Sequence, residues 1–417
     1  MTGSNIPWRP EAGTSMSTLR RDDSPGRASH LRGLLTGALL SACGLASAAA
    51  PSPGETDPGL DANARELAAY EKALDDAIAE RGPYSPRLAE TYQGFGRYLQ
   101  RQGLHRDALA MLRKARHVTR VNHGIYGAGQ IPVLRGMITS LEATGQVAVT
   151  TDTYRELLRV ADKGLPAADP QRIALLRDAA HWHLAAHRLD AQEHRLAHLL
   201  AAQDLLARAW ELTDHNAADT RTRAALLRDR ALLHFHVLRE RDTRNRAPQM
   251  PAGYRFAGDL ANTGVRTLPA SAGEARELLD TRIALLEQSH PADAAALRRA
   301  RLDRADWELM LGDVDTAMVA YQAWLSEAAR SDREHLALPE PLPAPRDADG
   351  PGARIRVDVS EDGRPDHIEL LDSGPFADPE HRHRILQAVR ETRFRPAFAE
   401  GLPVASTGAV LTFPLAD

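Results

Sequence analysis

The chain has 417 residues, more than one ordinary core holds, so two or more domains are expected. Hydrophobic residues make up 43% and charged residues 26%, a globular balance. Formal net charge is −4 with a pI near 6.5. Without a strong basic field to collect phosphates, nucleic acid is excluded as an expected partner. The single cysteine, Cys43, excludes a disulfide framework or a cysteine-based zinc site within one chain. Aromatics are only 5%, and Ala, Leu and Arg dominate, so a mostly α chain is expected.

The N-terminal stretch reads as an export signal. Arg20, Arg21, Arg27 and Arg32 precede an uncharged segment, Gly33 to Gly54. A basic stretch, a short apolar run and a small-residue exit have the grammar of secretion. Ala46-Ser47-Ala48 places a cleavage between Ala48 and Ala49. Leu40-Ser41-Ala42-Cys43 offers a second route, in which Cys43 is lipidated. A third is retention as an anchor, although Ser, Gly and Thr dilute the segment below a strongly apolar span of about 20 residues. All three routes place the rest of the chain outside the cytosol, in the periplasm as a free protein or as a membrane-anchored lipoprotein. Residues 1–50 are accordingly a leader plus signal.

From residue 51 to 335 the apolar spacing is helical, broken by Gly and Pro. Tyr92, Phe95-Gly96, Leu99, Gly103, Ala108, Leu112 and Ala115 alternate large and small residues around a turn glycine. Two antiparallel helices pack closely only where a small residue faces a large one. Leu134, Met137, Leu141 and Gly145 follow, with Tyr154, Leu157 and Leu158 beyond. The pattern returns at Trp307 to Gly312, then Ala317, Tyr321 and Trp324. Further helices are expected at 171–189, 191–213, 217–241, 272–289 and 292–311. This spacing resembles the tetratricopeptide repeat, most closely in its first copy. The resemblance implies a helical solenoid with a groove that holds peptides or partner helices. Residues 243–271 are rich in Pro and Gly and are expected to be an irregular insertion.

Residues 336–352 read as a Pro/Gly linker, an extended semi-rigid spacer. Beyond it the period changes to two. Ile355, Val357 and Val359 alternate with Arg354, Arg356 and Asp358. Glu361-Asp362-Gly363-Arg364 is a hairpin turn, 367–371 a second strand, 379–392 a helix and Ala409–Leu415 a last strand. Asp-Gly-Arg after the first strand, Asp372-Ser373 after the second, then Arg393-Phe-Arg-Pro-Ala397 and Gly401-Leu-Pro-Val404 complete the pattern. Together these resemble the C-terminal domain of TonB energy transducers over residues 353–417. That resemblance implies a periplasmic domain that accepts a strand from an outer-membrane receptor. It makes Ala409, Val410, Leu411, Thr412, Phe413 and Leu415 the expected partner-binding edge. Self-association through the same edge stays open. True transducers keep an uncleaved anchor and a long spacer; here a solenoid stands in the spacer's place.

The expected fold is therefore mostly α with a small α+β domain: a tetratricopeptide-like solenoid followed by a β-β-α-β unit. The expected function is an exported envelope interaction scaffold, with energy transduction for outer-membrane transport as the alternative. No catalytic role, metal or cofactor is expected. His181, His183, His187, His194 and His198 have i,i+4 spacings, but the zincin glutamate is missing and no cysteine joins them. They read as solvated or partly packed histidines, as does His381-Arg-His383. Trp182, Trp210, Trp307 and Trp324 read as core.

Overall fold

A computed structural model describes residues 58–189, 194–215, 218–246, 268, 270–289, 293–327, 338–342, 352–372 and 379–414. Cys43, Ala48, Ala49, Leu415 and most of the expected insertion lie outside the described residues. The chain divides into two compact units at Arg65/Glu66. The first is described only in the opening turns of α1 (Pro58–Arg81).

Among the described residues the second unit carries ten further helices of the repeat body: α2 (Pro86–Arg101), α3 (His105–His123), α4 (Ile131–Ala143), α5 (Val147–Gly164), α6 (Gln171–Leu189), α7 (Arg195–His215), α8 (Thr220–Arg246), α9 (Ala272–Glu287), α10 (Ala294–Leu311) and α11 (Val314–Glu327). From α2 onwards each helix packs against the next, giving five successive antiparallel pairs. The first helices of neighbouring pairs also touch, α2 on α4 and α6 on α8.

The first pair obeys the small-against-large rule. A methyl added to Gly96 would lie 2.7 Å from Leu112 Cγ, far inside contact distance. One added to Gly136 on α4 would lie 3.3 Å from Leu112 Cδ2. Leu112 is thus wedged between two glycine-surfaced helices, and it is fully buried with Ala108 and Ala115. Burying such a leucine stabilises by about 1.5–3 kcal/mol. Gly103, Gly145 and Gly312 close the inter-helix turns with φ of +71°, +67° and +87°, a region that favours glycine. Ser271 Oγ accepts from Glu274 N at 2.9 Å, an N-cap that starts α9. One continuous core runs from α3 to α8. Trp182, Trp307 and Trp324 are buried and Trp210 is half-buried, as their apolar spacing requires.

The insertion begins later than its composition suggests. Thr243–Arg246 continue α8, because no Pro or Gly interrupts the turn before Pro248. At the insertion's far end Leu268 is buried in the main core, and Arg241 donates to the Ala270 carbonyl at 3.0 Å and to that of Leu268.

The C-terminal part is richer than β-β-α-β. It contains β1 (Glu340–Leu342), β2 (Gly352–Val359), β3 (Pro365–Asp372), α12 (Pro379–Glu391), β4 (Arg393–Arg395), β5 (Ala397–Ala399), β6 (Leu402–Val404) and β7 (Ser406–Pro414). The main sheet has the order β3-β2-β7, all antiparallel. Ala353, Ile355, Val357 and Val359 of the central strand are buried against Ile385, Val389 and Phe394. Gly363 closes the β2–β3 turn at φ +77°, and its carbonyl accepts from Phe394 N at 2.9 Å. A methyl there would lie 2.1 Å from the Phe394 carbonyl oxygen.

Within residues 336–352 the spacer reading fails at Glu340–Leu342. That segment is strand β1, paired with β4 in the register Glu340↔Arg395 to Leu342↔Arg393. The reason is Arg395. It is fully buried, with Nε 2.8 Å from Asp306 Oδ1 on α10, Nη2 2.5 Å from Asp306 Oδ2, and Nη1 on Glu340. Tyr321 donates to Asp306 Oδ1 at 2.7 Å. Leu342 and Phe398 enter the α10–α11 core beside Leu302, Leu309 and Tyr321. The small sheet is docked on the last helix pair rather than tethered to it.

Candidate functional site

Two cavities open on opposite sides of α6. The first lies between α4 and α6, the first helices of adjacent pairs, with α5 as its floor; its volume is about 240 Å³. Ile138, Leu157, Trp182 and Ala185 give it apolar walls. Trp182 is fixed by donating to Thr151 Oγ1 at 2.9 Å and by stacking on Tyr154. At the base, the Tyr154 hydroxyl donates to Glu142 Oε1 at 3.2 Å. On the rim, Arg135 Nη2 pairs with Asp178 Oδ2 at 2.9 Å. His181 Nε2 lies 2.8 Å from Asp229 Oδ1, whose other oxygen takes Arg177 Nε at 2.7 Å.

Burial pushes the Glu142 carboxyl up to about 7, although the Tyr154 hydrogen bond pulls the other way. Burial, reinforced by the nearby carboxylates, also drives the Tyr154 phenol well above its ordinary range. Asp229 is the converse case. Burial would raise it, but His181 and Arg177 outweigh burial and hold it well below the usual carboxylate range. A carboxyl in a cleft, held near neutrality by desolvation, is a recognised mark of a binding site.

The second cavity, about 630 Å³, lies on the other side of α6, between α5 and α7. Its wall carries His183 and His198, whose Nδ1 atoms lie 2.9 Å apart. One imidazole N–H must donate to the other's lone pair, so at least one ring is neutral. Burial, then His198 and Arg155, lower His183 to about 4. His187, one turn on, approaches the Arg195 carbonyl and edges His236. Burial, then Arg195, lower it to about 3.

Against the expectation of solvated or partly packed histidines, three of the group are packed fully. His183, His187 and His198 are buried, because α6 is apolar on nearly every side and its neighbours enclose it. Only His194 of the group is exposed. The i,i+4 pairs do not converge: His183 faces His198, while His187 faces Arg195 and Glu240. Among the described residues no group of three or more His, Cys, Asp or Glu is placed to hold a metal ion. His383 is exposed on α12.

The expected partner-binding edge falls on β7, an outer strand of the main sheet. Its pairing with β2 runs through Ala409↔Val357, Val410↔Arg356, Leu411↔Ile355 and Thr412↔Arg354. Among the described residues no strand pairs with its other side. Val410 and Thr412 are exposed, whereas Ala409 and Leu411 are half-buried. Phe413 lies on the strand as well, opposite Ala353.

Sequence reading passed over Glu142, Arg135 and Asp178. The available signal was a glutamate directly after Leu141 on a mostly apolar helix, four residues from Ile138.

The tetratricopeptide repeat family model matches residues 67–119, which cover the end of α1, all of α2 and most of α3. The Gly96–Leu112 approach described above lies within the matched residues. No curated protein matches the sequence. Among solved structures, the chain is similar to the nearly identical TPR-like repeats of a kinesin light chain from Podosopora anserina. One match, a point variant, has a TM-score of 0.43 and 14% identity, covering 60% of this chain and 97% of that one. A second has a TM-score of 0.42 and 14% identity, covering 60% and 99%.

Proposed function

We propose that this chain is an exported bacterial envelope scaffold that binds other proteins through its helical-repeat surface and through the free side of β7. The observation that carries the reading is the repeat array itself. Stacked helix pairs leave cavities on both sides of α6, and such arrays generally serve as binding surfaces. The outer position of β7 supports the second contact, since an outer strand offers unpaired backbone groups. Export rests on the basic and uncharged segments between Arg20 and Gly54. The likeness of residues 353–417 to TonB C-terminal domains points to envelope partners, an outer-membrane receptor or a second copy among them.

Photo-crosslinking in intact cells tests this. A photoreactive residue replaces Thr139 at the first cavity's rim, Val410 on β7, or buried Leu112 as a control. Crosslinks from the first two positions and none from the control are expected. Absence of intermolecular crosslinks at both surface positions sinks the scaffold reading. Sequencing the mature N-terminus tests export: a start at Ala49 or at lipidated Cys43 supports it, and an unprocessed cytosolic chain sinks it. Either processed start also removes energy transduction, which needs an intact anchor.

A further inference from the structure

We propose that the cavity between α4, α5 and α6 is a socket for one cationic side chain, lysine or arginine, presented by a protein partner lying across the first helices. The inference deepens the scaffold reading and rests on it.

Size selects the class of occupant. At about 240 Å³ the cavity falls below the roughly 300–1,000 Å³ typical of whole small-molecule sites. It has room for a single linear side chain. The walls suit an aliphatic stem, since Ile138 and Leu157 line it beside the Trp182 ring. Lysine and arginine bury such stems while carrying charge at the tip.

Charge selects the tip. The groups facing the cavity are Glu142 and Arg135 from α4, Tyr154 from α5, and Asp178 and His181 from α6. Arg135 is bound to Asp178, and His181 to Asp229. Glu142 receives a phenol hydrogen bond, and among the described residues no cation pairs with it. Its carboxyl is therefore the acceptor at the base with its countercharge still to come. A buried carboxylate gains most when a partner supplies the opposite charge in low dielectric. The neutral carboxyl of the empty socket would ionise as the cation enters, so binding strengthens as pH rises through about 7. A partner carboxylate would meet Glu142 and Asp178, with the lining Arg135 already engaged.

Saturation-transfer NMR on the full chain tests this with side-chain mimics: n-butylammonium, n-butylguanidinium, 1-butanol and butyrate. Saturable millimolar binding of the two cations at pH 8 is expected, in keeping with ligands of so few atoms. It should weaken about tenfold at pH 5.5 and at least tenfold in Glu142→Gln at pH 8, with a fold check by circular dichroism. A second variant, Thr139→Lys, places an internal lysine on the exposed rim one turn from Glu142, and should compete the mimics out. Undiminished cation binding in Glu142→Gln overturns the proposal, as does 1-butanol or butyrate binding as well as the cations. Absence of saturable cation binding at pH 8 overturns it too. The scaffold reading fails separately, through absent crosslinks, whatever the mimics do.

Discussion

The first and last helix pairs of the body are both apolar where their two helices meet, but the last is tied to its other neighbours by buried charge. In α2–α3 the contact is apolar, with Leu112 seated against Gly96 among Ala108, Ala115 and Phe95. In α10–α11 the two helices also meet through an apolar core, but α10 turns buried carboxylates towards α8, α9 and β4. Asp303, Asp306 and Glu308 are all buried on α10. Asp303 pairs with Arg228, Arg282 and Arg299, Glu308 with Arg276 and Arg304, and Asp306 with Arg395. The apolar pair tolerates only the right volume. The charged face of α10 tolerates only complete partnership, because a buried charge left alone is far costlier than a lost pair is valuable.

The sharpest test of that contrast is Arg395→Ala. It would leave Asp306 and Glu340 without their buried cation. A loss of about 3–5 kcal/mol in urea unfolding is expected. Replacing Asp306 and Arg395 together by Leu and Met should recover most of the loss. A single-variant loss below about 1 kcal/mol would mean that the apolar contact of Leu342 and Phe398 alone holds the sheet in place.

The middle pair, α6–α7, mixes both modes and should respond to acid. His183 and His187 are held neutral, with folded values of about 4 and 3 against 6.5 for the free side chain. Below about pH 6.5 the unfolded chain binds protons that the folded chain refuses. Stability is therefore full above pH 6.5 and falls as pH drops towards 4. Between pH 7.5 and 5 a loss of about 4 kcal/mol is expected from the two together. His183→Gln and His187→Gln should each flatten that slope, and a slope unchanged in both would remove the buried-neutral account.

Smaller effects test the apolar pair. Gly96→Ala should destabilise by about 1–2 kcal/mol, as overpacking against Leu112 outweighs the helix-propensity gain. Gly94→Ala is the control two residues away. Its added methyl would meet only the Tyr70 ring edge at 3.3 Å, so near-neutral stability is expected. Equal losses at both positions would show that the Leu112 wedge has no special standing.

The same contrast explains what could be read in advance. The helix pairs were legible because Gly96, Ala108, Leu112 and Ala115 fall at repeat offsets and because turn glycines recur at 103, 145 and 312. The alternation of Ile355, Val357 and Val359 likewise announced a strand, now seen as the central one. Hidden was everything that depends on a charge going inward. Asp306 and Glu308 in Arg-Ala-Asp-Trp-Glu look like a solvated face, and Arg395 looks like strand edge until Asp306, distant in sequence, is brought beside it. Glu340–Leu342 reads as spacer because Pro339, Pro341 and Pro343 surround a strand of three residues whose partner lies beyond the helix. The candidate socket was hidden for the same reason. Glu142 ends an apolar helix, where a charge is usually taken for the start of solvent.

Glu142 also supplies the smallest effect, and one opposite in sign to the histidines. Its carboxyl has a folded value of about 7, against 4.5 for the free group. Above pH 4.5 the unfolded chain releases a proton that the folded chain keeps, so this group erodes stability as pH rises from 4.5 to 7. Glutamine keeps the shape and can still accept from Tyr154, but has no proton to release. The full linkage is about 3 kcal/mol, but solvent reaches the half-buried carboxyl and reduces it, so Glu142→Gln should stabilise by about 1–2 kcal/mol at pH 8 and by almost nothing at pH 4, measured by urea unfolding at both values. A variant less stable than the parent at pH 8 would mean that the ionised carboxyl already has its countercharge within the chain. Stabilisation at pH 8 joined to loss of cation binding is the signature of a site that gives up stability to keep a charge waiting for its partner.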